Sequence, residues 1–213
     1  MTREAPTAHV PGVLWQPRTP LRILLDDYLP RGVDELVAAA AVPDDGSGVP
    51  VRTVSPDCDE VLRLLRQRDK ALQRRVWLDS GANLVIDPCE AMTVIDVNTA
   101  KSTGKRGLED TILRTNLEAA AEVARQVRLR NLGGIILIDM IDMAEDSSRE
   151  AVLTALREAF RADRVKTVVH GFTSLGLIEM TRKRTRVSLM DALTVPCPHC
   201  GGSGRLHEEE DHG

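Results

Sequence analysis

The sequence contains few aromatic residues. Trp, Tyr and Phe make up 2% of the 213 residues, as two Trp, one Tyr and two Phe. Proteins that bind nucleic acids usually combine stacking rings with a basic surface. Here the formal net charge is −4, from 28 Lys and Arg against 32 Asp and Glu. Composition alone therefore argues against a nucleic-acid-binding protein, and the core must be built from aliphatic side chains.

The acidic excess is confined to one end of the chain. Four of the 32 acidic residues form the run from Glu208 to Asp211, so the rest of the chain carries 28 residues of each sign. A run of like charges at a terminus is typically solvated, and residues 205–213 are predicted to be a disordered acidic tail. The neutral remainder leaves room for a basic binding surface.

Long apolar runs are also absent. No segment reaches the roughly 20 residues that cross a bilayer. The N-terminal sequence MTREAPTAHVPG lacks the apolar stretch of a signal peptide, and residues 1–20, with four prolines, are predicted to be a flexible lead. We therefore expect a cytoplasmic protein with no membrane partner.

Hydrophobic spacing predicts an α/β protein, in which several strands are covered by at least two helices. A helix over Glu60–Arg75 precedes a meander of three short strands, and a long helix then ends at Gly133 and Gly134, which can adopt a left-handed stop conformation. The strands are predicted at Val76–Leu78, Leu84–Ile86, Met92–Val97, Ile135–Ile138 and Val165–Val169, and the later helices at Leu108–Leu132 and Ser147–Arg161.

Two acidic residues lie at predicted strand ends. Asp96 falls inside Met92–Val97, and Asp139 directly follows Ile135–Ile138. An ionised carboxylate beside a dry sheet is costly unless a partner or a cation compensates it, and carboxylate oxygens are the ligands that Mg²⁺ and Mn²⁺ prefer. Asn98 lies on the same side of its strand as Asp96. These residues predict a divalent-cation site.

Other interpretations of the two aspartates remain open. Either residue can cap a turn or pair with an arginine such as Arg114 or Arg125, and spacing alone gives this alternative about equal weight. Asp87 and Asp142 are further candidate ligands by position only.

Two basic segments are candidate contacts for phosphate groups. Lys101, Lys105 and Arg106 follow the Asp96 strand in the loop STGKRG, where they can pair with phosphates beside the carboxylates. The run TRKRTR contains Arg182, Lys183 and Arg184, and its ordinary interpretation is a solvated helix face.

The four cysteines favour metal binding over a disulfide framework. Only Cys197 and Cys200 are close together, in the sequence CPHC. Structural zinc takes four ligands and this motif supplies two. A second copy of the chain can provide the other pair, or His207 and His212 can complete the site within one chain, or no metal binds.

Three motifs in order resemble the bacterial ribonuclease E/G family. They are TVIDVNTAKSTGKRGLEDTILRTNLEAAAEVARQVRLRNLGGIILIDMIDM (Thr93 to Met143), GFTSLGLIEMTRKRTRVSL (Gly171 to Leu189) and CPHC. The segment LGLIEMTRKRT is closer to the ribonuclease G branch than to the ribonuclease E branch. The resemblance is close over roughly the last two-thirds of the chain, and weaker from about residue 21 to 75.

The resemblance implies a fold and an activity. It implies a deoxyribonuclease I-like catalytic core over residues 76–192, with a mixed sheet and flanking helices. Part of a ribonuclease H-like subdomain would precede it over 21–75, and a zinc-link would follow it over 193–204. Asp96 and Asp139 would hold the Mg²⁺ of an endoribonuclease, with Asn98 supporting the scissile phosphate or a water molecule. The products from single-stranded RNA would carry 5′-phosphate and 3′-hydroxyl ends, in RNA processing or decay. The residues expected to contact this RNA are Lys101, Lys105, Arg106, Arg182, Lys183 and Arg184.

The resemblance also implies partners. Cys197 and Cys200 would share one structural Zn²⁺ with a second protomer, giving a homodimer and leaving higher oligomers open. Family members carry an S1-type RNA-binding domain and a 5′-end sensor upstream, for which this sequence leaves no room. We therefore expect either dependence on a separate RNA-binding partner or, as the alternative function, a truncated non-catalytic module for RNA processing or dimerisation. A phosphoesterase for small substrates is disfavoured by the length of the match.

Overall fold

The computed structural model describes residues 32–42, 48–99 and 108–204. The chain divides into two compact units, Met1–Arg66 and Gln67–Gly213, and the boundary falls within helix α1, Asp59–Ala71. In the first unit, strands β1 (Leu36–Ala38) and β2 (Val51–Thr53) pair in parallel. The side chain of Arg52 donates hydrogen bonds to the carboxylates of Glu35 and Glu60, which ties β2 to its neighbours in this unit.

The second unit contains a mixed six-stranded sheet. Its strands are β3 (Arg75–Trp77), β4 (Asn83–Pro88), β5 (Met92–Asn98), β6 (Gly134–Asp139), β7 (Thr167–Phe172) and β8 (Leu177–Arg182), and the helices of this unit are α2 (Leu108–Leu129), α3 (Asp146–Phe160) and α4 (Leu189–Leu193). The strand order is β3-β4-β5-β6-β8-β7. In this sheet only β5 and β6 pair in parallel, and helix α2 is the crossover between them. The predicted mixed α/β architecture is confirmed. None of the described helices is long and apolar enough to cross a membrane.

One face of this sheet carries the core. Alternate residues of the strands pack against α2 and α3, and α2 contributes mainly small residues, which let it lie close to the sheet. Fully buried members include Leu84, Ile86, Ile95, Ile136, Ile138, Ala120, Val123, Ala124, Val152 and Leu156. The other residues of each strand point to the opposite face, and these include Asp96, Asn98 and Asp139.

The predicted meander of β3, β4 and β5 is antiparallel, as expected. The turn between β3 and β4 is held by Glu118 of α2, whose carboxylate accepts the backbone N–H groups of Asp79, at 2.7 Å, and Ser80, at 3.3 Å. The three strands thereby join the same core as the long helix.

Two sequence-based expectations are wrong. The run TRKRTR does not begin on a helix face, because Thr181 and Arg182 end strand β8. The stop of α2 is also not made by Gly133 and Gly134. Asn131 adopts the left-handed conformation, with φ 49°, and the N–H of Leu132 donates to the carbonyl of Val127 at 2.9 Å, as in a Schellman C-cap.

Candidate active site

The two predicted aspartates are neighbours in the sheet. Asp96 of β5 and Asp139 of β6 are register partners in the parallel pair, so their side chains leave the same face of adjacent strands. Neighbouring strands lie about 4.8 Å apart, which brings both carboxylates within reach of a single cation. The expectation that their strands are adjacent is confirmed.

Asn98 belongs to the same site. It lies two residues after Asp96, and its Nδ2 donates a hydrogen bond of 2.7 Å to Asp96 Oδ2. This bond fixes the orientation of the Asp96 carboxylate. It does not involve the amide oxygen of Asn98, which can accept another hydrogen bond. The alternation of strand side chains therefore correctly predicts the side of the sheet on which Asn98 lies.

The site is negative. Partial burial raises the pKa of Asp139, and the negative charges of Asp96 and Asp142 raise it further. Asp142 therefore lies close enough to influence the pair, although it is exposed and stands in the loop after β6. A cation between the two carboxylates would relieve this repulsion.

Arginine pairing does not account for the two aspartates. Arg125 pairs with Glu122 at 2.7 Å. Asp87, the other candidate ligand, pairs with Arg74, and this interaction lowers its pKa. Within residues 32–42, 48–99 and 108–204, neither Asp96 nor Asp139 forms an ion pair with Lys, Arg or His.

The loop after β6 is fastened to α2 by Asn116, a residue that sequence reasoning missed. Asn116 is fully buried, its Nδ2 donates to the carbonyl of Ile141 at 2.8 Å, and its Oδ1 accepts the N–H of Ile141 at 3.1 Å. This two-point contact fixes the backbone between Asp139 and Asp142. The sequence feature that could have identified Asn116 is a polar residue on the apolar face of a long helix.

The donor set fits Mg²⁺. In the part of the chain that the structure describes, no group of three or more His, Cys, Asp or Glu side chains gathers as an all-protein metal cage. Mg²⁺ does not need one, because it commonly binds one or two carboxylates and completes its shell with water and substrate phosphate. Two adjacent carboxylates that have no cationic partner among the described residues suit this mode.

The candidate RNA contacts have different positions. Lys101, Lys105 and Arg106 lie outside the described residues. Lys183 and Arg184 are exposed, and the Arg184 side chain lies over Gly134, where an added Cβ would come within 2.8 Å of its guanidinium. Glycine is required at position 134 by its backbone φ of 95°, because the flexible end of the exposed Arg184 side chain can move away from an added Cβ.

Arg182, also an expected RNA contact, is instead part of the interior. It is 5% exposed, and its guanidinium donates to Asp163 at 2.8 Å, to Leu132 O at 2.9 Å and to Asn131 Oδ1 at 3.1 Å. These bonds join β8 to the end of α2 and to the segment before β7. Because Arg182 ends a buried strand rather than lying on a solvated run, its role is structural.

The cysteine motif forms a tight turn. The N–H of Gly201 donates to the carbonyl of Cys197 at 2.8 Å, and the N–H of Gly204 donates to Cys200 Sγ at 3.3 Å. Backbone N–H groups of Gly204 and Gly202, together with the Cys197 thiol, lower the pKa of Cys200. This favours the thiolate, the form that binds zinc. Cys58 and Cys89 are free, and His207 and His212 lie outside the described residues.

Comparison with known proteins finds relatives of similar sequence. The chain is 54% identical over 141 residues to ribonuclease G of Escherichia coli strain K12, covering 66% of this chain and 29% of that protein. It is 54% identical over 140 residues to ribonuclease G of Haemophilus influenzae, covering 66% and 28%. With ribonuclease E of Escherichia coli strain K12 the identity is 41% over 174 residues, covering 82% and 16%. The chain thus spans less than a third of the length of these relatives.

A family model matches most of the chain. The model of the ribonuclease E/G family matches residues 12–185, which include Asp96, Asn98, Asn116 and Asp139. The identity is higher to the ribonuclease G relatives than to ribonuclease E. The paired aspartates therefore lie within a region that is shared with these proteins, and the chain belongs to the ribonuclease E/G family.

Proposed function

We propose that the protein is an endoribonuclease that hydrolyses phosphodiester bonds of single-stranded RNA with a Mg²⁺ held by Asp96 and Asp139. The observation that carries this proposal is the register pairing of these two carboxylates on adjacent strands, without a cationic partner among the described residues. The relatives named ribonuclease G and ribonuclease E support RNA as the substrate. We also propose a deoxyribonuclease I-like core over residues 76–192 and a partial ribonuclease H-like subdomain over 21–75.

The chemistry follows from the charges at the site. When bound, Mg²⁺ supplies positive charge that stabilises the charge developing on the phosphoryl oxygens and makes water a better nucleophile. Asp96 and Asp139 would hold the ion, and Asn98 keeps the Asp96 carboxylate oriented while its amide oxygen is available for the attacking water. Water adds to phosphorus and the 3′-oxygen leaves with a proton, so the products carry 5′-phosphate and 3′-hydroxyl ends.

Binding of the RNA backbone is proposed for Lys183 and Arg184, together with Lys101, Lys105 and Arg106. Basic side chains that neutralise phosphates release counterions, so affinity should fall steeply with salt concentration. Removal of one such residue should weaken binding to all sequences about equally.

The decisive experiment is cleavage of a 5′-monophosphorylated single-stranded RNA by the full chain with Mg²⁺. We expect Asp96→Asn and Asp139→Asn each to reduce cleavage by at least about 100-fold, because each removes one ligand charge. Asp87→Asn is the matched control, since Asp87 lies on the neighbouring strand but pairs with Arg74. Its cleavage rate should stay within a few-fold of the unmodified chain.

Two results would overturn the proposal. Cleavage that survives both substitutions would remove Asp96 and Asp139 from the active site. RNA binding without cleavage by the unmodified chain would favour the alternative, a non-catalytic RNA-processing module. The product ends can be identified by their sensitivity to phosphatase and to ligation.

A further inference from the structure

The most exposed aromatic residue that the structure describes lies on the sheet of the proposed active site. Trp77 ends strand β3 and is 65% exposed. An indole of this size is usually buried or placed where it binds something. Its exposure is notable in a chain with only two Trp, one Tyr and two Phe.

Strand register connects Trp77 to the aspartate pair. Trp77 pairs with Asn83 of β4, and Asn83 pairs with Asn98 of β5. Cross-strand partners share a face, so these three side chains form one row on the face that carries Asp96 and Asp139. Two strand spacings place Trp77 about 10 Å from Asn98.

A cation accompanies the ring. Arg75 lies two residues before Trp77 on the same face, and its guanidinium carbon is 5.8 Å from the centre of the Trp77 ring. This is a cation–π distance. An exposed ring beside a guanidinium offers a stacking surface and a phosphate-binding charge together, which is how proteins bind single-stranded nucleic acids.

The residue between Trp77 and Asn98 has an unmet hydrogen bond. Asn83 is 7% exposed, and its Oδ1 is the one buried side-chain nitrogen or oxygen without a partner among the described residues. An unsatisfied buried acceptor costs about 1–3 kcal/mol, and such groups in native proteins call for an explanation. A donor from a ligand, with a small rotation of the amide, would supply the missing bond.

We propose that Trp77, Arg75 and Asn83 form a nucleotide-binding subsite for single-stranded RNA, beside the scissile phosphate. A base stacks on the exposed surface of Trp77, Arg75 pairs with an adjacent phosphate, and Asn83 accepts a hydrogen bond from a base N–H or a ribose hydroxyl. This inference rests on the proposed function, because it assigns the subsite to the same RNA. It concerns a flanking nucleotide that is held in place rather than cleaved.

The binding experiment uses the full chain carrying Trp15→Phe, so that Trp77 is the only fluorescent indole. Without Mg²⁺, titration with a short single-stranded RNA should quench Trp77 emission. Stacking contributes about 1–3 kcal/mol per base, so in the otherwise unmodified chain Trp77→Ala should weaken binding roughly 5- to 150-fold, measured by anisotropy of labelled RNA. Trp77→Phe should retain most of the affinity.

An abasic scan identifies the stacked nucleotide. Single abasic sites are placed at successive positions of the RNA, and one position should weaken binding to the unmodified chain but not to Trp77→Ala, where the stacking partner is already absent. Asn83→Leu should weaken binding of intact RNA roughly 2- to 10-fold, because it removes the hydrogen-bond acceptor. Leu175→Ala removes another exposed apolar side chain, 84% exposed in the β7–β8 turn, and should have no effect.

The outcomes separate this proposal from the proposed function. RNA binding without quenching, or equal abasic sensitivity in Trp77→Ala, would overturn the subsite even if RNA is cleaved. Blue-shifted Trp77 emission in the free protein would also overturn it, because the ring would then be covered by another segment or a second copy. Quenching and abasic sensitivity without any cleavage would support the subsite and overturn the catalytic proposal.

Discussion

At the scale of single residues, Asp139 combines a proposed function with a cost to stability. Burial and the charges of Asp96 and Asp142 raise its pKa, so its ionised form destabilises the metal-free fold. We predict that Asp139→Asn raises the melting temperature of the metal-free protein slightly, because the amide carries no charge for Asp96 and Asp142 to repel and because solvent screens most of this repulsion at the exposed Asp139 side chain. Thermal unfolding in EDTA measures this gain.

The pH dependence and the metal dependence of this effect have defined signs. Because the folded pKa is above the unfolded value, the destabilisation is complete above the folded pKa and disappears as pH falls below the ordinary aspartate range. Mg²⁺ should raise the melting temperature of the unmodified chain and leave that of Asp139→Asn nearly unchanged. A destabilising effect of Asp139→Asn in EDTA would contradict the electrostatic account.

Arg182 and Asp163 show the opposite balance. Burial opposes ionisation of Asp163, but Arg182, the N–H of Val165 and the Thr167 hydroxyl outweigh it and lower its pKa. The contribution to stability is therefore present above the ordinary aspartate pKa and is lost as pH falls through the lowered value. We predict that Arg182→Ala reduces the free energy of unfolding at neutral pH by about 3–5 kcal/mol, because it leaves a buried carboxylate unpaired.

Urea unfolding measures the Arg182→Ala effect, and Arg161→Ala is its control. Arg161 forms an exposed ion pair with Glu158, in which both side chains are more than half exposed. Its removal should cost no more than about 1 kcal/mol. Equal losses in the two variants would show that the burial of the Arg182 pair is unimportant.

At the scale of elements, α2 does more than cover the sheet. Through Asn116 it holds the backbone of Ile141, between Asp139 and Asp142. We predict that Asn116→Leu, which keeps the volume but removes both hydrogen bonds, reduces the free energy of unfolding by about 2–4 kcal/mol, since two buried backbone groups lose their partners. The measurement is urea unfolding at neutral pH.

A second measurement separates positioning from general destabilisation. If Asn116 positions the metal site, Mg²⁺ affinity should fall in Asn116→Leu even where the variant is fully folded. Val152→Ala removes a fully buried side chain of α3 elsewhere in the core and should lower stability while Mg²⁺ affinity stays the same. Parallel effects in both variants would leave Asn116 a purely structural residue.

Local pattern predicts most elements and misses those that long-range pairing creates. The long helix and the strands around Asp96 and Asp139 have strong periodicity, and they occur within a few residues of the predicted bounds. Strand β8 is not predicted from the sequence, because its alternating residues, Ile178 to Thr181, are followed directly by a basic cluster. Its pairing with β6 and β7 is also non-local. Sequence does not identify Asn131 as the left-handed residue at the end of α2, because Gly133 and Gly134 nearby adopt that conformation more readily.

At the scale of the whole molecule, sequence predicts the members of the site better than their environment. Asp96, Asn98 and Asp139 follow from strand ends and alternation, and the structure brings them together. Asn116, Asn83 and Trp77 do not follow, because their importance depends on hydrogen bonds and register between distant segments. Arg182 shows the converse, since a basic residue in a charged run lies in the interior.

At this scale, we predict that zinc joins two chains. Cys197 and Cys200 supply two ligands, and the nearby N–H groups favour the thiolate of Cys200. Apolar side chains preceding the motif are exposed, at 47% for Leu193 and 84% for Val195, and a second chain would cover them. Because zinc needs four ligands, two copies of the motif complete one site.

We therefore predict one zinc ion per two chains and a solution mass of two chains. Cys197→Ser should remove both the zinc and the dimer, because a site with two remaining thiolates and no replacement ligand binds zinc weakly. Cys89→Ser is the control, since Cys89 is an exposed free cysteine outside the motif, and it should retain both properties. Metal analysis and light scattering on the same samples provide the two readings. One zinc per single chain would assign the remaining ligands to that chain, with His207 and His212 as candidates, and a dimer that persists without zinc would move the interface to the apolar surface alone.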